Sequence, residues 1–147
     1  MIFLAVALMT RFLFIYGTLL PDHAPAEIAP AVRKLRRIAR GKTPGQLYDL
    51  GDYPGAIFTL GPSTISGEVY QLLGGMNLLR RLDAYEEFDE RHPPRSLFVR
   101  KKRPVRLEDG RRVLAWVYEY HRDPSSGTPI PHGDYRHWMK TRKLAPR

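Results

Sequence analysis

The sequence predicts a single α+β domain, and three observations carry that prediction. At 147 residues the chain is long enough to bury one hydrophobic core without disulfide or metal staples. Apolar extended runs bounded by Gly and Pro alternate with two stretches of helical period. No internal repeat and no second core-sized apolar region is present. The expected organisation is an N-terminal extension over 1–11, a folded domain over 12–123, and a C-terminal loop and basic tail over 124–147.

The elements follow in order. Phe12 to Ile15 is a four-residue apolar run beside Tyr16, as in a strand buried on both faces. The run breaks at Gly17 and passes into Thr18-Leu19-Leu20. A glycine there leaves the backbone free to present successive N–H groups, a cluster suited to a carboxylate or phosphate. Pro21 to Pro25 is a turn-rich link, with Pro25 placed to open a helix that runs to about Arg40. Ile28, Val32, Leu35 and Ile38-Ala39 form its apolar stripe, the arginines lie opposite, and Gly41 closes it.

Gly45 to Leu50 reads as the second strand, and Tyr53-Pro54-Gly55-Ala56 as a loop, because proline and glycine both oppose a ladder. Ser66 to Leu72 is the third strand. Gly74-Gly75 then precedes a second helix from Asn77 to about Glu86. Leu97 to Arg100 with Val105, the turn Glu108-Asp109-Gly110, and Val113 to His121 read as a hairpin of the fourth and fifth strands. After Asp123 to Gly127 the chain is loop-like, with a short helix around Asp134 to Lys140.

Composition excludes several functions. There is no cysteine, which removes disulfides, thiolate metal sites and a cysteine nucleophile. That composition suits a reducing compartment, and a cytoplasmic location is expected. The five histidines, His23, His92, His121, His132 and His137, show no ligand spacing, so surface or capping roles are expected and no metal. Ile2 to Leu8 is too short to span a bilayer. It reads either as a strand extension or as translated sequence ahead of a start at Met9, which is the favoured reading.

The net charge is +9, and basic residues cluster in three groups: Arg33 to Lys42, Arg100 to Arg106, and Arg136 to Arg147. Solvated basic faces are the expectation, with no nucleic-acid or membrane partner. Nucleic-acid binding through the first two groups is a further reading. Nothing in the sequence specifies an oligomeric state.

One residue carries chemical promise. At about 100° per residue, Leu78, Leu79, Leu82 and Tyr85 share one helix face, and Glu86 falls within that arc, whereas Glu87 points away and Asp83 sits at its margin. A carboxyl group on a buried face has a raised pKa, which makes a glutamate useful as a general acid or base near neutral pH. Phase alone also admits Glu86 at a fraying helix end, turned into solvent. Thr18 lacks a nearby general base, so its hydroxyl is read as a binding group. Tyr118 and Tyr120 share a face with packing as their default role, Trp116 and Trp138 read as anchors, and Asp49 and Asp52 cap a glycine turn.

The ordered set Phe14-Ile15-Tyr16-Gly17-Thr18-Leu19, Gly67-Glu68-Val69-Tyr70, Leu82-Asp83-Ala84-Tyr85-Glu86, and Asp109-Gly110 followed by Ala115-Trp116-Val117-Tyr118 resembles the gamma-glutamyl cyclotransferase-like family, including its gamma-glutamylamine cyclotransferase branch. The resemblance implies a small mixed, partly closed β-barrel with helices packed outside. It implies a cofactor-independent enzyme that closes a gamma-glutamyl amine or peptide to 5-oxoproline and a free amine. Substrate binding would fall on Tyr16, Gly17, Thr18 and Leu19, and general acid/base catalysis on Glu86. The family's Tyr-x-Arg after the glutamate is met here by Phe98-Val99-Arg100, without the hydroxyl. The alternative is a non-catalytic module on the same fold that recognises an acidic metabolite.

Overall fold

The computed structural model describes residues 11–17, 24–73 and 75–144. Its strands are β1 (Phe12–Ile15), β2 (Leu35–Pro44), β3 (Gln46–Asp49), β4 (Pro54–Ile57), β5 (Thr64–Leu72), β6 (Phe98–Leu107), β7 (Arg112–Tyr120) and β8 (Thr128–Pro129). Its helices are α1 (Ala29–Val32), α2 (Gly75–Tyr85) and α3 (Tyr135–Leu144). Strands β1, β5, β2, β6 and β7 form a barrel that closes fully, through a parallel pairing of β1 with β7. The other barrel pairings are antiparallel, so the barrel is mixed. A second sheet of order β4-β3-β8 lies beside it.

Alternation along β1 links two cores. Phe14 and Tyr16 join Leu47, Ile65, Val69, Val105, Ala115 and Val117, while Leu13 and Ile15 join Val32, Tyr70, Leu78, Leu82 and Phe98 beneath the helices. Leu13, Phe14 and Ile15 are all buried, which is why the run is apolar without a polar face.

The structure corrects three expectations. The helix expected from Pro25 to Arg40 is only the short α1, and Leu35 onward is strand β2, which pairs with β5 over its length around a bulge between Arg37 and Ala39. Pro30 explains part of this, since in a helix begun at Pro25 it would lie in the interior, where proline clashes and removes a hydrogen bond. In the short helix it occupies the first turn instead. Gly41 is a mid-strand residue rather than a helix stop. A Cβ there would lie 2.7 Å from Val105 Cγ1.

The second correction concerns Tyr53 to Ala56. Pro54–Ile57 is the edge strand β4, paired only with β3 in its sheet, and an edge tolerates proline at its first residue. The third concerns the C-terminal segment, read as a loop and tail with a short helix around Asp134 to Lys140. The helix is present as α3, but the segment packs into the domain instead of trailing from it. Ile130 and Tyr135 are buried in the first core. Trp138 Nε1 and an Arg142 guanidinium nitrogen both donate to Asp49 Oδ2, at 2.7 and 2.9 Å. Asp49 also accepts the Gly51 N–H at 2.8 Å, as expected of a turn cap, and these donors hold its carboxyl below the usual range against the effect of burial.

Candidate active site

A cavity of about 230 Å³ opens where β1 ends, walled by Tyr16 and Gly17, by Asp52, Tyr53 and Pro54, by Phe98 and Tyr118, and by Glu86 and Glu87 at the end of α2. Its size suits a small metabolite. The two segments singled out from the sequence therefore meet in one place. Thr18 and Leu19 lie outside the described residues, so this meeting is made by Tyr16 and Gly17 with Glu86.

Gly17 is a glycine for reasons of space. A Cβ at that position would sit 2.5 Å from Pro54 Cγ, so β4 and the end of β1 could not close together around the cavity. Tyr16 is buried, and its hydroxyl donates to the Tyr118 carbonyl at 2.5 Å. Burial, then the nearby Glu86 carboxyl, raise its pKa well above the usual phenol value. Tyr16 thus braces the wall, with its only donor already used.

Glu86 sits where helix α2 stops. Its N–H still donates to the Leu82 carbonyl at 2.9 Å, which keeps it one turn above a fully buried leucine. The chain then turns through Glu87 in the left-handed region at φ 55°. Phe88 N–H reaches the Asp83 carbonyl (2.9 Å) and Glu87 N–H the Ala84 carbonyl (3.2 Å), a Schellman closure at a position that normally prefers glycine. The Glu87 carbonyl accepts the Leu97 N–H at 3.1 Å. The helix end is consequently tied down, and Glu86 faces the cavity instead of fraying into solvent.

The Glu86 residue is half-buried, and its carboxyl makes no hydrogen bond to a described residue. Burial first, and the neighbouring Glu87 second, push its pKa up to about 8. An open cavity reconciles these facts: protein surrounds the carboxyl, while a ligand can still reach it. Such a group exchanges protons near neutral pH.

A buried polar network beneath the cavity was not visible in the sequence. Arg100 on β6 grips Asp83 with two parallel bonds, Nε to Oδ1 at 2.8 Å and a terminal nitrogen to Oδ2 at 3.2 Å. Both side chains are about one-tenth exposed or less. The Tyr118 hydroxyl donates to the same Asp83 Oδ1 at 2.6 Å, and the guanidinium lies 4.2 Å from the Trp116 ring centroid. Tyr118 in turn receives the Tyr16 hydroxyl on its carbonyl. One continuous chain of bonds therefore joins the helix that carries Glu86 to the strand end that carries Gly17. Helix phase had left Asp83 at the margin of the apolar arc; the available signal was its position three residues before Glu86, on the same side of the helix.

Phe98 is buried in the cavity wall, 5.6 Å from the Tyr120 ring and 5.9 Å from the Tyr53 ring. Among the described residues no group of three or more His, Asp or Glu side chains is placed to hold a metal ion. Among them, too, no helix is long and apolar enough to cross a membrane.

A barrel closed by a parallel β1–β7 pairing thus holds a half-buried glutamate facing the end of β1 across a cavity of small-molecule size. Residues 13–137 match the family model for gamma-glutamyl cyclotransferase, AIG2-like proteins, and the chain belongs to that family. It is 30% identical over 128 residues to a provisionally named gamma-glutamylcyclotransferase of Methanocaldococcus jannaschii, covering 86% of this chain and 96% of that one. Among solved structures, a protein described as gamma-glutamyl cyclotransferase shares the fold with a TM-score of 0.61 at 14% identity, covering 92% of this chain and 87% of that one. YkqA from Bacillus subtilis gives a TM-score of 0.66 at 23% identity, covering 94% of this chain and 44% of that longer one.

Proposed function

We propose that this protein is a gamma-glutamyl cyclotransferase that uses Glu86 as its general acid and base and needs no cofactor. The observation that carries the reading is the Glu86 carboxyl, without a hydrogen-bond partner among the described residues and enclosed in the cavity that Gly17 also lines.

The substrate carries an α-ammonium, an α-carboxylate and a γ-amide carbonyl on one flexible chain. Bringing the ammonium beside Glu86 favours the ionised carboxylate, because an opposite charge offsets the effect of burial. The carboxylate removes one ammonium proton, and the freed nitrogen lone pair attacks the γ-carbonyl carbon. The new C–N bond closes a five-membered ring and places negative charge on the carbonyl oxygen. Backbone N–H groups from Gly17 onward, including those of Thr18 and Leu19, are assigned to hold that oxygen or the α-carboxylate. Collapse of the tetrahedral centre breaks the bond to the leaving nitrogen, to which Glu86 delivers its proton. The ring nitrogen, still carrying two hydrogens and a positive charge, then gives its second proton through the Glu86 carboxylate to the departing amine, which leaves as ammonium. The products are 5-oxoproline and a free amine. Confinement of the chain in its folded conformer supplies the proximity contribution.

The test is release of 5-oxoproline, followed by mass spectrometry, from a panel of gamma-glutamyl amines and dipeptides with the wild type and Glu86→Gln. Release by the wild type alone supports the assignment. Binding of panel members without release by either protein would point to a recognition module instead.

A further inference from the structure

We infer that the outer face of β2, β6 and β7 binds the phosphate backbone of a nucleic acid. The sequence separates the basic residues into groups, but the barrel brings members of two groups together. Lys42 on β2 lies directly opposite Arg106 on β6, and Arg106 lies directly opposite Arg112 on β7. Directly opposed residues share a face, so three cations form a row across three adjacent strands, roughly 10 Å from end to end at the usual strand spacing. Ser66 on β5 continues the row beyond Lys42.

This row differs from an ordinary solvated basic surface. Like charges directly opposite one another destabilise a sheet, and all three residues are exposed. None makes an ion pair or side-chain hydrogen bond with a described residue. The nearby carboxylates are engaged elsewhere: Asp134 by Arg40, Glu108 by the Arg40 N–H, and Asp109 by Arg111. The basic strand β6 itself, Phe98–Leu107, carries no acidic residue. An open groove beside the row is lined by Arg40, Lys42, Arg106, Thr64 and Ser66, with Glu108 as its one carboxylate, so hydroxyl donors accompany three cations.

Charge complementarity therefore calls for an extended anion with repeated negative groups. The Trp116 ring is already covered by Arg100 at 4.2 Å and Lys102 at 4.9 Å. The face thus offers charges instead of a free base-stacking platform, and binding should tolerate sequence. This inference is independent of the cyclotransferase cavity.

The test is fluorescence anisotropy with a labelled single-stranded oligonucleotide across a salt series. The variants are Lys42→Gln/Arg106→Gln/Arg112→Gln and a control of equal charge loss, Arg80→Gln/Arg81→Gln/Arg91→Gln. Wild type and control should bind with the same salt dependence. Three lost phosphate contacts, at about 0.7 each for a single strand, should lower the magnitude of the row variant's log–log slope by about 2. Thermal melting of the row variant should match or exceed the wild type, because repulsion is relieved. Equal losses in both variants, no oligonucleotide binding at about 50 mM salt, or binding to phosphatidylserine vesicles without oligonucleotide binding would each overturn the inference.

Discussion

Replacing Glu86 with glutamine should abolish turnover and also stabilise the protein, by an amount that grows with pH. The wild-type carboxyl is raised from 4.5 to about 8, by burial first and Glu87 second. Because the folded value lies above the unfolded one, the stability associated with the neutral carboxyl is fully present below about 4.5. It is lost as pH rises toward 8. At ~1.36 kcal/mol per pH unit, full ionisation removes about 5 kcal/mol, of which about 3 kcal/mol has gone by pH 7. Glutamine keeps the shape and cannot ionise. Urea unfolding of both proteins should show no difference near pH 4, an advantage for the variant of about 3 kcal/mol at pH 7, and about 5 kcal/mol at pH 9. Over the same range the wild-type kcat/KM should climb with a midpoint near 8. A pH-independent stability difference would show that the carboxyl is solvated and ionised at the helix end, and the catalytic assignment would lose its physical basis.

Further outcomes follow from the surrounding structure. Arg100→Leu should destabilise by about 3–5 kcal/mol, because it strands a buried Asp83 carboxylate, and Asp83→Leu in the same chain should recover much of the loss in urea unfolding. Glu87→Gly relieves the left-handed backbone at φ 55° and should stabilise by about 1 kcal/mol. It should also move the pH–rate midpoint down, since Glu87 helps to raise the Glu86 pKa. Gly67→Ala places a Cβ 2.4 Å from the Ile15 carbonyl oxygen. Prying β5 from β1 just before Tyr16 should lower the melting temperature and the activity together.

Much of the fold was legible because its strands carry local signals. The apolar run before Tyr16, the β6–β7 hairpin around Asp109-Gly110, and the apolar period of α2 all correspond to observed elements. Strand β2 was not legible, because Ile28, Val32, Leu35 and Ile38 satisfy a helical period. The partner strands β5 and β6 decide the matter by pairing with this segment's backbone. Strand β4 was hidden by Pro54 and Gly55, two residues that oppose a ladder in general and are accommodated here at a sheet edge.

The candidate site divides in the same way. The sequence by itself determined the family and the kind of residue at each end of the site: a glycine where an apolar strand ends, and a glutamate on the buried arc of a helix. These are local properties of type, period and order. Only the tertiary structure decided that Glu86 faces a cavity instead of solvent, through the left-handed turn at Glu87 and its bond to Leu97. Only it joined Arg100 to Asp83 and Tyr118 to Tyr16, and aligned Lys42, Arg106 and Arg112. Closure of the barrel determines which distant side chains share a low-dielectric pocket or an exposed face. Separation along the chain carries no such information, so charge, burial and pKa at these positions are properties of the closed barrel.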